Sequence, residues 1–203
     1  MNKPIIGLVD YGVGNFASVK RLISRLGYRS QLVNKPKDLE TVNILFVPGV
    51  GAFPSAMAAL TEINLVNPIQ DFAISGKPLV GVCLGMQLLA NSSEEQGFTK
   101  GLGLIPGEVK RMPSIDCHIG WNSLEYINEC SITSESDGQS FYYNHSYEFQ
   151  APKKYIVGIA RAEKPITSVV RKDNIFGMQF HPEISQIAGF KLIRRVLEEF
   201  TYA

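Results

Sequence analysis

Apolar positions along the chain fall into short unbroken runs, separated by stretches in which they recur every three or four residues. Ile5-Ile6-Gly7-Leu8-Val9 reads as a strand buried on both faces, because neither set of alternate positions is polar. A loop follows, Asp10 to Asn15, then an amphipathic helix from Phe16 to Leu26 that Gly27 ends. Ser30 to Val33 and Asn43 to Val47 give two more strands. Helical stretches run from Pro54 to Glu62 and around Asn67 to Ser75, and Leu79 to Val82 is a fourth apolar strand that leads directly into another helical pattern. Strands alternating with helices predict an α/β fold: a mostly parallel open sheet with flanking helices, its functional loops gathered at the carboxyl ends of the strands. Asp10–Asn15, Pro48–Phe53 and Cys83 are therefore expected to meet.

After Ser93 the pattern changes. Glycines at 97, 101, 103 and 107 break the chain, and strands near Glu108–Met112, Phe141–Phe149, Tyr155–Ala160, Ser168–Val170 and Ile175–Phe180 follow without intervening helices. This half predicts an antiparallel C-terminal extension, with Lys172-Asp173-Asn174 turning the last two strands into a hairpin. Ile187 to Phe200 closes the chain as an amphipathic helix. With 203 residues and 45% hydrophobic content, the chain can bury about 70% of its unfolded surface around one core. Residues 1–203 are expected to form a single domain.

Charge and cysteine usage narrow the function classes. A formal charge of +1 gives no general attraction to nucleic acid or anionic membranes, and Lys191, Arg194 and Arg195 read as one solvated helix face. Cys83, Cys117 and Cys130 form no framework, and their odd number points to a reducing, cytoplasmic setting. Cys117 and His118 are neighbours without zinc-ligand spacing, so no metal is expected. The run Ile5–Val9 is too short for a signal core, and no stretch reaches the length of a membrane span. Gly12-x-Gly14-x-x-Ala17 formally fits a dinucleotide fingerprint. Asp10 and Tyr11 separate it from the strand, however, and the second strand ends in Asn34-Lys35 without a ribose-binding acid, so no cofactor is expected.

The strand at Leu79 delivers the chemistry. Gly81-x-Cys83-x-Gly85 matches a nucleophile elbow with sulfur in place of oxygen: small residues two before and two after permit a sharp strand-to-helix turn. Cys83 would stand at a helix N-terminus, where free N–H groups and the dipole favour an anionic sulfur and can hold an oxyanion. A buried structural cysteine is the competing reading. His181-Pro182-Glu183 supplies a base and a carboxylate to orient it: the fixed φ of Pro182 keeps the tripeptide from coiling, so it is expected to be extended, with residues i and i+2 projecting to the same side and Glu183 within reach of the imidazole. Pro48-Gly49-Val50-Gly51 can turn a peptide N–H toward a reacting carbonyl, so Val50, Gly51 and Leu84 are the candidate oxyanion donors.

These motifs resemble the class I (triad) glutamine amidotransferases. Asp10-Tyr-Gly-Val-Gly-Asn15, Gly101-Leu-Gly-Leu104, His118-Ile-Gly-Trp-Asn122, Asn144-His-Ser-Tyr147 and Gln179-Phe-His-Pro-Glu183 extend the likeness toward the glutaminase subunits of imidazole glycerol phosphate synthases. The resemblance implies that Cys83 attacks the amide carbon of glutamine, His181 transfers protons, Glu183 orients it, and a glutamyl thioester is hydrolysed. It further implies glutamine binding by Gly49, Gln87, Glu95, His145, Ser146 and Tyr147. Ammonia would pass to a separate (β/α)₈ cyclase subunit, of the kind that makes imidazole glycerol phosphate in histidine biosynthesis, in a heterodimer with Asn15, Trp121, Asn122 and Ile184 at the interface.

Two positions depart from the family pattern. Ile184 follows His-Pro-Glu where lysine is common, and Cys117 precedes His118 where proline is usual. Both leave the glutaminase residues intact and bear on the partner. A paralogue feeding ammonia to another acceptor, such as a sugar amidination pathway, is thus an alternative to histidine biosynthesis. A non-catalytic interaction subunit is a further one, against which the intact Cys83, His181 and Glu183 argue. An α/β hydrolase would place its acid before its histidine, and here Glu183 follows His181.

Overall fold

The computed structural model describes residues 3–12, 14–112, 117–132, 136–162 and 164–202. Val13, inside the predicted loop Asp10–Asn15, lies outside them. The first half folds as its pattern predicts: β1 (Ile5–Val9), α1 (Phe16–Arg25), β2 (Arg29–Val33), a 3₁₀ turn at Pro36–Thr41, β3 (Ile44–Gly49), α2 (Phe53–Glu62), α3 (Val66–Ile74), β4 (Leu79–Cys83) and α4 (Leu84–Leu88). Short strands β5 (Ser92–Ser93) and β6 (Thr99–Lys100) follow, then β7 (Glu108–Arg111), β8 (His118–Tyr126), β9 (Ser140–His145), β10 (Tyr147–Gln150), β11 (Ile156–Ala160), β12 (Ile166–Lys172), β13 (Ile175–Met178) and α5 (Gln186–Tyr202).

Nine strands form one sheet in the order β2-β1-β3-β4-β13-β12-β11-β8-β9. β2 through β13 run parallel, and from β12 onward each neighbour is antiparallel. Alternation within the parallel strands divides the core in two. Leu45, Val47 and Leu79 pack with α2, α3 and α4 on one face, while Ile44, Phe46, Val80 and Val82 pack with α1 and α5 on the other. Both faces are covered, which is why these strands read as continuous apolar runs.

The second half departs from expectation in three places. Residues 118–126, taken only as a contact segment, form the nine-residue strand β8. The stretch Phe141–Phe149 is two strands rather than one: β9 belongs to the large sheet, and β10 to a separate four-stranded sheet ordered β10-β7-β5-β6. His181 to Glu183 is not extended, because Ile184 and Ser185 N–H groups bond back to the carbonyls of His181 and Pro182 in a turn. No helix among the described residues is long and apolar enough to cross a membrane.

Candidate active site

β4 ends at Cys83, whose backbone adopts φ +54°, a left-handed conformation that costs a non-glycine residue free energy and marks a strained turn. The flanking glycines are required by close packing. A Cβ on Gly81 would stand 2.6 Å from the carbonyl oxygen of Gly85, and a Cβ on Gly85 would overlap the carbonyl of Val47 in β3. The elbow is thus pressed against the sheet, and Cys83 is buried to 5% exposure. As the first residue of α4, Leu84 has no intrahelical acceptor for its N–H.

β13 lies parallel to β4, so the segment beyond it reaches the same rim. Here the main chain of His181 is held at both ends: its N–H donates to Tyr142 O at 2.9 Å, and its carbonyl accepts from Ser185 Oγ at 2.6 Å. Its Nδ1 contacts Glu183 Oε1 at 2.9 Å across the turn, and its side chain also hydrogen-bonds Cys83. Burial alone would lower the imidazole pKa, but the bonds to Cys83 and Glu183 outweigh it and push the value up to about 10. The ring is therefore an imidazolium at neutral pH, stabilised between a sulfur and a carboxylate.

Glu183 receives a second donor, Asn15 Nδ2 at 3.2 Å from Oε1. Asn15, expected at a partner interface, is half-buried with its amide on the carboxylate of the Cys83–His181–Glu183 group. Gln179, given no role above, is fully buried and donates from Nε2 toward Cys83 Sγ at 3.8 Å. Its sequence signals were its place in the Gln179-Phe-His-Pro-Glu183 motif and a polar side chain at the end of the apolar run from Ile175.

A cleft of about 300 Å³ opens over Cys83, lined by Val50, Gly51, Leu84, Gln87, Glu95, Asn144, His145, Ser146, Tyr147 and His181. It gathers most of the residues predicted to bind substrate. Gly49 is the exception: it is the last residue of β3, paired with Cys83 and buried below the cleft. Val50 and Gly51 follow it into the lining, Gly51 at φ +99°, and among the described residues their N–H groups meet no backbone or side-chain acceptor. Gln87 Nε2 is committed to Tyr147 O and Gln179 Oε1, each at 3.0 Å. Glu95 Oε2 accepts from Phe53 N at 2.8 Å, capping the start of α2.

His145 belongs to a longer chain of bonds. Its Nδ1 lies 2.8 Å from Tyr147 O, its Nε2 lies 3.0 Å from His118 Nδ1, and His118 Nε2 lies 3.1 Å from Asn122 Nδ2. One assignment satisfies every contact: both rings neutral, each carrying its proton on Nδ1. Asn122, expected at the interface, thus turns its amide inward. Cys117 is exposed while its neighbour His118 is buried.

On the same rim, Trp121 is 51% exposed beside Tyr142 and shares a groove with Gln186 and Ile187. Ile184 is 44% exposed and faces a second groove with Ser18 and Arg21 of α1.

Comparison with known proteins agrees with this geometry. Residues 7–197 match the model of the family described as glutamine amidotransferase class-I. The chain is 37% identical over 203 residues to the imidazole glycerol phosphate synthase subunit HisH of Listeria monocytogenes, covering 98% of this chain and 97% of that one. It is 42% identical over 193 residues to the HisH subunit of Desulfitobacterium hafniense, covering 93% and 92% respectively. Among solved structures, PurLQS from Thermotoga maritima superposes with a TM-score of 0.80 at 17% identity, over 98% of this chain and 99% of that one. A glutamine amidotransferase from the same organism gives 0.74 at 16% identity over the full length of both. At these identities the structural matches establish the shared fold.

Proposed function

The chain belongs to the class-I glutamine amidotransferases, among the HisH subunits of imidazole glycerol phosphate synthase, and on that premise we propose that Cys83, His181 and Glu183 hydrolyse the side-chain amide of glutamine. The observation that carries this reading is the His181 ring, 2.9 Å from Glu183 and beside Cys83, on the wall of a cleft large enough for a small molecule. Cys83 sulfur adds to the amide carbon, and the carbonyl oxygen takes up the negative charge beside the N–H groups of Val50, Gly51 and Leu84. His181 gives its proton to the amide nitrogen as the C–N bond breaks, so ammonia leaves and a glutamyl thioester remains. Water then attacks the thioester, losing its proton to His181, and glutamate departs as the sulfur is released.

Gln87, Glu95, His145, Ser146 and Tyr147 hold the glutamine. Glu95 is the carboxylate facing the substrate's amino group, and its bond to the start of α2 fixes it in place. The protein is the glutaminase subunit of an imidazole glycerol phosphate synthase and serves histidine biosynthesis; family membership selects this over a paralogous acceptor pathway.

A subunit of that enzyme has a partner subunit that receives the ammonia. We take this partner to be a (β/α)₈ cyclase, docked in the cytoplasm on the rim of this one-domain chain. The support is the apolar ground between the two grooves, where Trp121, Ile184 and the 71%-exposed Ile187 stand together. With isoleucine at 184, the facing residue of the partner should be neutral or apolar, since a carboxylate buried there would lack a counter-charge.

The test is Cys83→Ala assembled with the partner. Glutamine-dependent synthesis should vanish while synthesis from added ammonium salt continues, and glutaminase activity near wild type would overturn the assignment.

A further inference from the structure

Tyr11 is buried next to the site, yet the mechanism above gives it no part. β1 pairs with β3 only as far as Leu8 opposite Phe46, so by Pro48 the edge of β3 facing β1 has lost its ladder. The carbonyl exposed by that loss is taken by a side chain: Tyr11, in the loop after β1 and 5% exposed, donates its hydroxyl to Pro48 O at 2.9 Å. A Cβ on Gly49 would overlap the Tyr11 hydroxyl. Gly14, from the same loop, rests against the same peptide, with its notional Cβ 3.5 Å from Gly49 Cα and 3.6 Å from Pro48 O. The Pro48–Gly49 peptide is thus gripped from one side by a single loop. The next two residues along the chain are Val50 and Gly51, which line the cleft. Burial, reinforced by charge at Cys83, raises the phenol well above its ordinary range, so it stays a donor at every working pH.

We propose that Tyr11 is a positioning residue for the oxyanion hole: its hydroxyl fixes the Pro48 carbonyl and thereby sets the direction in which the Val50 and Gly51 N–H groups meet the developing oxyanion. The inference rests on the glutaminase reading given above. It also explains why glycine stands at 49, where any side chain would displace the hydroxyl.

Tyr11→Phe keeps the ring and removes the bond. Measured in the complex with the partner subunit, kcat for glutamine hydrolysis should fall about 10- to 100-fold with KM within about twofold, because preorganised donors act on charge that exists only in the transition state. Alkylation of Cys83 by iodoacetamide is the control, since displacement of iodide develops no oxyanion and needs only the sulfur and His181. Its rate should not change. An unchanged kcat in Tyr11→Phe would overturn the proposal. So would a parallel fall in turnover and alkylation, which would make Tyr11 a general support of the elbow, or an effect confined to KM. Failure of the underlying reading shows separately, as glutamine hydrolysis that survives Cys83→Ala.

Discussion

Replacing His145 by Gln should remove a measurable share of the acid sensitivity of the fold. Its Nδ1–H is committed to Tyr147 O, so Nε2 must stay unprotonated to accept from His118. A proton on that nitrogen would set two N–H groups against each other across 3.0 Å. Burial is the main cause that lowers the pKa; the Tyr147 carbonyl opposes it, repulsion from His118 and His181 adds smaller lowering contributions, and the value falls from 6.5 to about 4. The unfolded chain takes up the proton first, so the contribution is fully present above about pH 6.5 and is lost as pH falls toward 4. A displacement of that size amounts to about 3 kcal/mol in total, of which about 2 kcal/mol disappears between pH 7.5 and pH 5. Urea unfolding of wild type and His145→Gln at those two pH values measures it. Wild type should lose about 2 kcal/mol more than the variant, because carboxylates common to both proteins cancel in the difference. Equal pH dependence in the two proteins, or a His145 imidazole resonance that titrates near 6.5 in the folded protein, would refute the reasoning.

Two further substitutions probe the elbow and the carboxylate. Gly85→Ala places a methyl group on the Val47 carbonyl, where only backbone movement gives relief; a cost above about 3 kcal/mol in denaturant unfolding is expected, and wild-type stability would show that α4 can lift off β3. Asn15→Ala deletes one donor to Glu183 and should lower kcat of the assembled enzyme about tenfold with KM for glutamine nearly unchanged, in keeping with a bond to a charged group. Unaltered kcat would mean that the bond to His181 alone holds the carboxylate.

The parallel half was legible because strands covered on both faces leave no polar gaps, and the glycines around Cys83 reported a turn that no other residue permits. β8 gave no such signal. Apart from Leu124 and His118 its residues are half-buried or exposed, so the strand rests on ladder bonds to β9 and β11 rather than on apolar burial. In residues 141–149 the signal was present but misleading. Phe141, Tyr143, His145 and Phe149 are buried at alternate positions, and this period of two carries through the break at Ser146, so it cannot show that the two pieces join different sheets. The supports of the site were hidden for a different reason. Tyr11 reaches Pro48 across 37 residues and Asn15 reaches Glu183 across 168, and periodicity reports local structure alone.

That break at Ser146 also explains why the cleft needs both halves of the chain. The parallel strands bring Cys83, Val50 and Gly51 to one rim, but a sheet edge alone is open to solvent on its far side. β9 runs along the large sheet until His145, and β10 then departs to pair with β7, so the chain crosses over the rim at the point where Ser146 and Tyr147 line the cleft beside Cys83. Gln87 fastens the crossing: from α4, directly after the elbow, its side-chain nitrogen bonds Tyr147 O of the small sheet and Gln179 Oε1 beyond β13. One buried amide therefore ties the helix that follows Cys83, the strand that leads to His181 and the segment that walls the cleft. A change at Gln87 cannot act on the cleft lining alone, because the same side chain closes the junction on which the spacing of Cys83 and His181 depends.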